Sequence, residues 1–172
     1  MTKKLDVEVS ALLDKLVTDL TPLLALNPVI IGIHTGGSWL AEILHQRLAM
    51  NEPCGSLDIS FYRDDFSRIG LNPEVRASDI PQDISDRHIL LIDDVLQTGR
   101  TVRAAMNEIF DYGRPASIRL CVLVERNGHE LPVQADYFGM KLDLRPDQQI
   151  KLTGPEKLSL IVGDLAGGGK QS

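Results

Sequence analysis

Positive charge is scarce in this sequence of 172 residues: 18 Lys and Arg stand against 24 Asp and Glu, a formal net charge of −6 at pH 7. Coating nucleic acid non-specifically requires a surplus of cations on the binding face, because counterion release drives such binding. That class is disfavoured, although a local basic patch is not excluded. Cysteine is scarcer still. Cys54 and Cys121 lie 67 positions apart, with neither a CxxC pair nor a His-rich neighbour. The spacing matches no zinc site and no dense disulfide framework, so both read as free thiols and no metal ligands are expected. No stretch approaches the roughly 18 consecutive apolar residues of a membrane span. Met1 to Asp6 leads into alternating acidic and apolar residues rather than the apolar core of a signal peptide. The expected compartment is the cytoplasm, without membrane association. Neither GxxxxGK[ST] nor GxGxxG occurs, which removes the P-loop ATPase and dinucleotide-binding readings.

What is present describes one ordinary domain spanning residues 1–172, with 43% apolar and 24% charged residues. A chain this long buries roughly 70% of its unfolded surface in a single core. Leu12, Leu13, Leu16, Val17 and Leu20 recur at helical spacing behind Ser10, a candidate cap, and predict an amphipathic helix from about Val9 to Leu20. Val29 to Ile33 is a β-branched run and reads as a buried strand. The polar turn His34-Thr35-Gly36-Gly37 and a helix carrying Trp39, Leu40, Ile43, Leu44 and Leu48 follow. Leu57, Ile59 and Phe61 alternate with Asp58, Ser60 and Tyr62, as in a strand with one buried face.

From about 63 to 87 the sequence loses its periodicity. Loops this long in compact domains are usually functional, and a lid over a site is the preferred reading. His88 to Ile92 is a second apolar strand, and the helix after it carries Val102, Ala105, Met106, Ile109 and Phe110 before Gly113 and Pro115. Ile118 to Val124 is a third. Tyr137-Phe138, Ile150 to Leu152 and Leu158 to Val162 read as small antiparallel strands, and residues 166–172 as a disordered tail. The pattern is α/β, a mostly parallel central sheet flanked by helices.

In an open parallel sheet ligands bind beyond the carboxyl ends of the strands, and three such ends carry chemistry here. The first delivers Thr35-Gly36-Gly37. The second runs into Asp93-Asp94-Val95-Leu96-Gln97-Thr98-Gly99-Arg100-Thr101, and the third into Glu125-Arg126. Thr98 and Thr101 supply hydroxyls, Gly99 permits close backbone approach, and the next helix N-terminus presents unpaired N–H groups with partial positive charge. This composes a phosphate cradle. Asp93 and Asp94 are placed to accept hydrogen bonds from sugar hydroxyls beside it. Taken singly, a Thr-Gly pair or a post-strand Asp is more often plain capping; on one loop after an all-apolar strand they are far more specific. His45 and His88 lack partners at metal-ligand spacing and read as surface or strand-end residues, Trp39 as core or interface, and His129 as a solvated loop residue.

Ile89 to Thr101 closely resembles the PRPP-binding signature of type I phosphoribosyltransferases. Within them the sequence resembles the PyrR group of pyrimidine operon regulators and uracil phosphoribosyltransferases. Further blocks support this, in the usual order: Asp58-Ile59 with Phe61 to Asp65, Gly113-Arg114-Pro115, Val122 to Arg126, and Glu130-Leu131-Pro132 with Ala135-Asp136-Tyr137. The resemblance covers roughly Val29 to Gly139. It implies the type I phosphoribosyltransferase fold with a flexible lid (63–87) and a small strand-rich hood. It also implies conversion of uracil and PRPP to UMP and pyrophosphate, with UMP- or UTP-responsive regulation of pyrimidine genes.

By the same resemblance Thr98 to Thr101 hold the 5′-phosphate, Asp93 and Asp94 the ribose hydroxyls, and Thr35-Gly36-Gly37 the pyrophosphate. Arg63 meets pyrophosphate as the lid closes, and Arg126 helps form the pyrimidine end. Val95, Leu96 and Gln97 complete the substrate-binding run. Mg²⁺ is expected to arrive with PRPP, together with a homo-oligomeric state and a pyrimidine operon mRNA leader as a further partner. Two features depart from the group. Its pyrophosphate loop often carries a basic residue and an Arg, and losing one charge-assisted hydrogen bond there costs about 1.5–3 kcal/mol, roughly 10- to 100-fold in binding or rate. Residues 1–28 carry three Lys against four acidic residues, which leaves little counterion-release energy for RNA. A catalytically weak, nucleotide-sensing regulator that binds RNA is the alternative.

Overall fold

The strand Val29–Ile33 (β2) is buried at every position, as its unbroken apolar run requires of a central parallel strand. In the computed structural model, which describes residues 1–60, 78–81 and 83–165, β2 leads into helix α2 (Gly36–Arg47) and strand β3 (Gly55–Leu57). Strand β4 (His88–Leu96), helix α3 (Arg100–Tyr112), strand β5 (Ser117–Arg126) and strand β6 (Tyr137–Leu142) follow. These five strands form one parallel sheet in the order β3-β2-β4-β5-β6.

Side chains alternate across it. Ile30, Leu90, Ile92, Cys121 and Leu123 pack on one face with Leu40 and Leu44 of α2 and with Leu13, Leu16 and Leu20 of helix α1 (Val9–Leu20). Ile31, Ile33, Ile89, Leu91, Leu120 and Val122 pack on the other with Val102, Ala105 and Ile109 of α3. The expected α/β class with a parallel sheet and flanking helices is observed.

A second sheet forms the hood: β1 (Thr2–Lys4), β8 (Ser159–Asp164) and β7 (Gln148–Thr153), antiparallel in the order β1-β8-β7. Ile150, Leu152 and Leu160 extend the α1–α2 core into it. The charged N-terminal segment thus supplies a strand that its polarity concealed.

Several local expectations change. The N-cap of α1 is Glu8, not Ser10. Among the described residues of the run at Leu57 the strand ends at that residue, although burial still alternates through Ile59; Phe61 and Tyr62 lie outside the described residues. β6 is not a small antiparallel strand but the parallel edge of the main sheet. Most of the expected lid, including Arg63, lies outside the described residues, as does the tail 166–172. Its described end is packed: Ile84 is fully buried in the α3-side core, and Asp79 bridges Ser56. No helix among the described residues is long and apolar enough to cross a membrane.

Candidate functional site

The strand order places the switch point between β2 and β4, because the chain leaves β2 outward to β3 and returns on the other side to β4. Such a crevice, beyond the strand C-termini, is where open parallel sheets bind ligands. Its two walls touch. A β-carbon on Gly36 would lie 2.6 Å from Asp94 Oδ2, and one on Gly37 would lie 2.5 Å from the Ile92 carbonyl oxygen. Only residues without a side chain fit between the start of α2 and β4. The His34–Thr35 peptide is cis, and His34 Nδ1 lies 3.2 Å from Ser38 Oγ.

β4 continues through the acidic pair to Leu96, so both carboxylates sit on the last turn-free stretch of a rigid strand rather than in a loop. Asp93 is 3% exposed and its Oδ1 accepts the Asp94 N–H at 2.9 Å; Asp94 Oδ1 accepts the Val95 N–H at 2.9 Å. Each hydrogen bond fixes its carboxylate against the main chain. Gly99 then takes φ +90° at the head of α3, a conformation that costs a side-chain-bearing residue energy. Thr98 Oγ1 accepts the Arg100 N–H at 3.2 Å.

A cavity of about 370 Å³ opens on this run. Asp93, Asp94, Val95, Leu96, Gln97, Thr98, Gly99, Arg100 and Thr101 line it, together with Val102, Arg126, Gln149, Ile150 and Lys151. The structure therefore brings together every residue expected from β4 and α3, and Arg126 from β5. Thr35, Gly36 and Gly37 do not line the cavity itself but adjoin it through the Gly36–Asp94 contact. Arg63 lies outside the described residues.

The hood residues Gln149, Ile150 and Lys151 were missed. Their strand was recognisable from Ile150 and Leu152, but nothing local says that it folds over β4. Arg126, 4% exposed, makes the connection: its Nη1 donates to the Gln148 carbonyl at 2.9 Å. Burial lowers the pKa of this guanidinium from its ordinary value. Backbone polar groups two residues apart on a strand point the same way. The bond to Gln148 therefore turns the N–H and C=O of Ile150 to the same outer edge of β7.

The phosphoribosyl transferase domain model matches residues 8–157, so fold and site define a protein of the phosphoribosyltransferase class. Curated relatives are named "Bifunctional protein PyrR". That of Nitrosococcus oceani is 59% identical over 138 residues, 79% of this chain and 78% of the relative. That of Pseudomonas fluorescens is 48% identical over 161 residues, 91% of this chain and 96% of the relative. The chain belongs to the PyrR family. Among solved structures, a purine phosphoribosyltransferase from Pyrococcus horikoshii shares the fold with a TM-score of 0.59 at 23% identity, covering 86% of this chain and 93% of its own. A hypoxanthine-guanine phosphoribosyltransferase from Bacillus anthracis shares it with a TM-score of 0.63 at 17% identity, covering 85% of each chain.

Proposed function

We propose that this chain is a uracil phosphoribosyltransferase that converts uracil and PRPP to UMP and pyrophosphate, and that it serves UMP- or UTP-responsive regulation of pyrimidine biosynthesis genes. The observation that carries the reading is a single cavity walled by the acidic pair Asp93-Asp94 and the turn Thr98 to Thr101, in a member of the PyrR family. The 5′-phosphate sits on the amides of the α3 N-terminus and the hydroxyls of Thr98 and Thr101. Asp93 and Asp94 hold the ribose hydroxyls. Pyrophosphate lies toward Thr35, Gly36 and Gly37, and Arg63 approaches it from the lid.

At the pyrimidine end, the Ile150 N–H donates to a uracil carbonyl while its C=O accepts from the N3 proton, with Arg126 fixing the strand that presents them. In the reaction the C1–pyrophosphate bond breaks as uracil N1 bonds to C1, and the N1 proton passes to an oxygen of the departing pyrophosphate. Positive character at C1 and negative charge on the leaving group are met by fixed groups, so catalysis is positioning and electrostatics. No group of three or more His, Cys, Asp or Glu among the described residues could hold a metal ion. Mg²⁺ would enter on PRPP oxygens and water, with Asp93 and Asp94 the carboxylates that would meet it. When bound, Mg²⁺ neutralises charge on the pyrophosphate.

The loop His34-Thr35-Gly36-Gly37 holds no Lys or Arg, which favours a slow catalyst as the second reading: a nucleotide sensor acting on a pyrimidine operon mRNA leader. A steady-state assay with uracil, PRPP and Mg²⁺ separates the two. UMP formation supports the enzyme. UMP binding without turnover, combined with nanomolar, steeply salt-dependent affinity for leader RNA, supports the sensor.

A further inference from the structure

The segment Gly128 to Val133, which carries the block Glu130-Leu131-Pro132, runs directly behind the phosphate turn. The Glu130 and Leu131 N–H groups both donate to the Thr98 carbonyl, at 3.0 and 3.1 Å. A β-carbon at Gly99 would meet Val133 Cβ at 3.2 Å and Leu131 Cβ at 3.3 Å, and Gly128, at φ +106°, faces the Gln97 side chain. The side chain of Glu130 completes the contact: Arg100 Nε donates to Glu130 Oε2 at 2.8 Å. Both partners of that ion pair are about half exposed, 51% and 53%. A pair so exposed contributes little to folding stability, yet its arginine lines the cavity.

We propose that Gly128–Val133 is a strap that pre-organises the phosphate turn, with Glu130 a positioning residue acting through Arg100. The C=O and N–H of a trans peptide point in opposite directions. Anchoring the Thr98 carbonyl to two strap amides therefore turns the Gly99 N–H away from the strap. The Glu130 carboxylate holds the guanidinium by Nε and so sets the direction in which its other nitrogens point, sparing the phosphate the cost of ordering a long side chain. The proposal rests on the reading of the cavity as a PRPP and UMP site.

Calorimetric titration with UMP and with uridine, which lacks the 5′-phosphate, tests it on the intact chain alongside steady-state kinetics. Glu130→Ala is expected to weaken UMP binding and raise the KM for PRPP about 5- to 20-fold, with uridine affinity and the KM for uracil within about twofold of wild type. Glu130→Gln keeps an oxygen for Arg100 and recovers most of that loss. Unchanged or tighter UMP binding in Glu130→Ala overturns the proposal, and so does equal loss for UMP and uridine, which would make the strap a general scaffold. A wild-type chain that binds UMP but never forms it defeats the enzymatic reading alone, since the UMP–uridine comparison still decides the strap.

Discussion

Gly36 and Asp94 meet across the switch point with no room for a β-carbon between them: one built on Gly36 would lie 2.6 Å from Asp94 Oδ2. The loop Thr35 to Gly37 and the strand β4 are thus one packed unit. The contact also bears on the loop's missing cation, because any side chain at position 36 must displace Asp94. Gly36→Ala is expected to raise the KM for PRPP about 10-fold or more and to cost about 1–3 kcal/mol of stability through overpacking. Steady-state kinetics and urea denaturation measure the two effects separately.

Under the proposed function the acidic pair acts through its charge rather than its shape. Asp93→Asn and Asp94→Asn keep the size of each side chain and an oxygen for the Asp94 and Val95 N–H groups while removing the negative charge. Each is expected to lower kcat/KM by about 10²–10³, the usual effect of losing one pre-organised electrostatic contact. Turnover that survives in both variants within threefold would show that the carboxylates do not act on the ribose.

The site was legible where its determinants are consecutive in sequence. Asp93 to Thr101 needs only an apolar strand, a glycine turn and a helix start, and all three lie within one window. Arg126 was legible as the end of an apolar run. Gln149, Ile150 and Lys151 were not, because their place over β4 depends on pairing between β7 and β8 and on Arg126 reaching Gln148. The same limit hid β1, three polar residues that become a strand only because β8 offers an edge. It also misassigned β6, whose short run Tyr137-Phe138 gives no direction, so only β5 makes it parallel.

Arg126 ties β5 to the start of β7 through the Gln148 carbonyl, and under the proposed function that geometry sets substrate choice. Arg126→Met fills similar space but leaves the Gln148 carbonyl without its donor, a charge-assisted bond worth about 1.5–3 kcal/mol. The β7 edge then loses its registration, and the KM for uracil is expected to rise about 10-fold or more while that for PRPP stays within about threefold. Arg126→Lys, which can still donate to Gln148, recovers part of the loss. Equal increases in both KM values would place Arg126 in the general scaffold instead.

The two thiols give the fold a pH dependence of known sign. Burial, the largest cause in both cases, pushes Cys121 up to about 12 and Cys54 up to about 11, from an ordinary 9.0. Unfolded, each thiol loses its proton as pH passes 9; folded, each keeps it until the raised value is reached. Between those limits the native state binds more protons than the unfolded one, so stability falls as pH rises. For the fully buried Cys121 the fall approaches about 1.4 kcal/mol per pH unit, beginning near pH 9, whereas below pH 8 the term is flat. Urea denaturation at pH 8 and pH 10, in wild type and Cys121→Ala, isolates it from tyrosine and lysine titration common to both. The wild type should lose more stability across that interval than the variant, and identical losses would mean that the thiol ionises freely in the folded chain. Disulfide-exchange labelling at pH 8 gives the kinetic counterpart: Cys121 should react orders of magnitude more slowly in the native protein than in urea, because only the thiolate attacks.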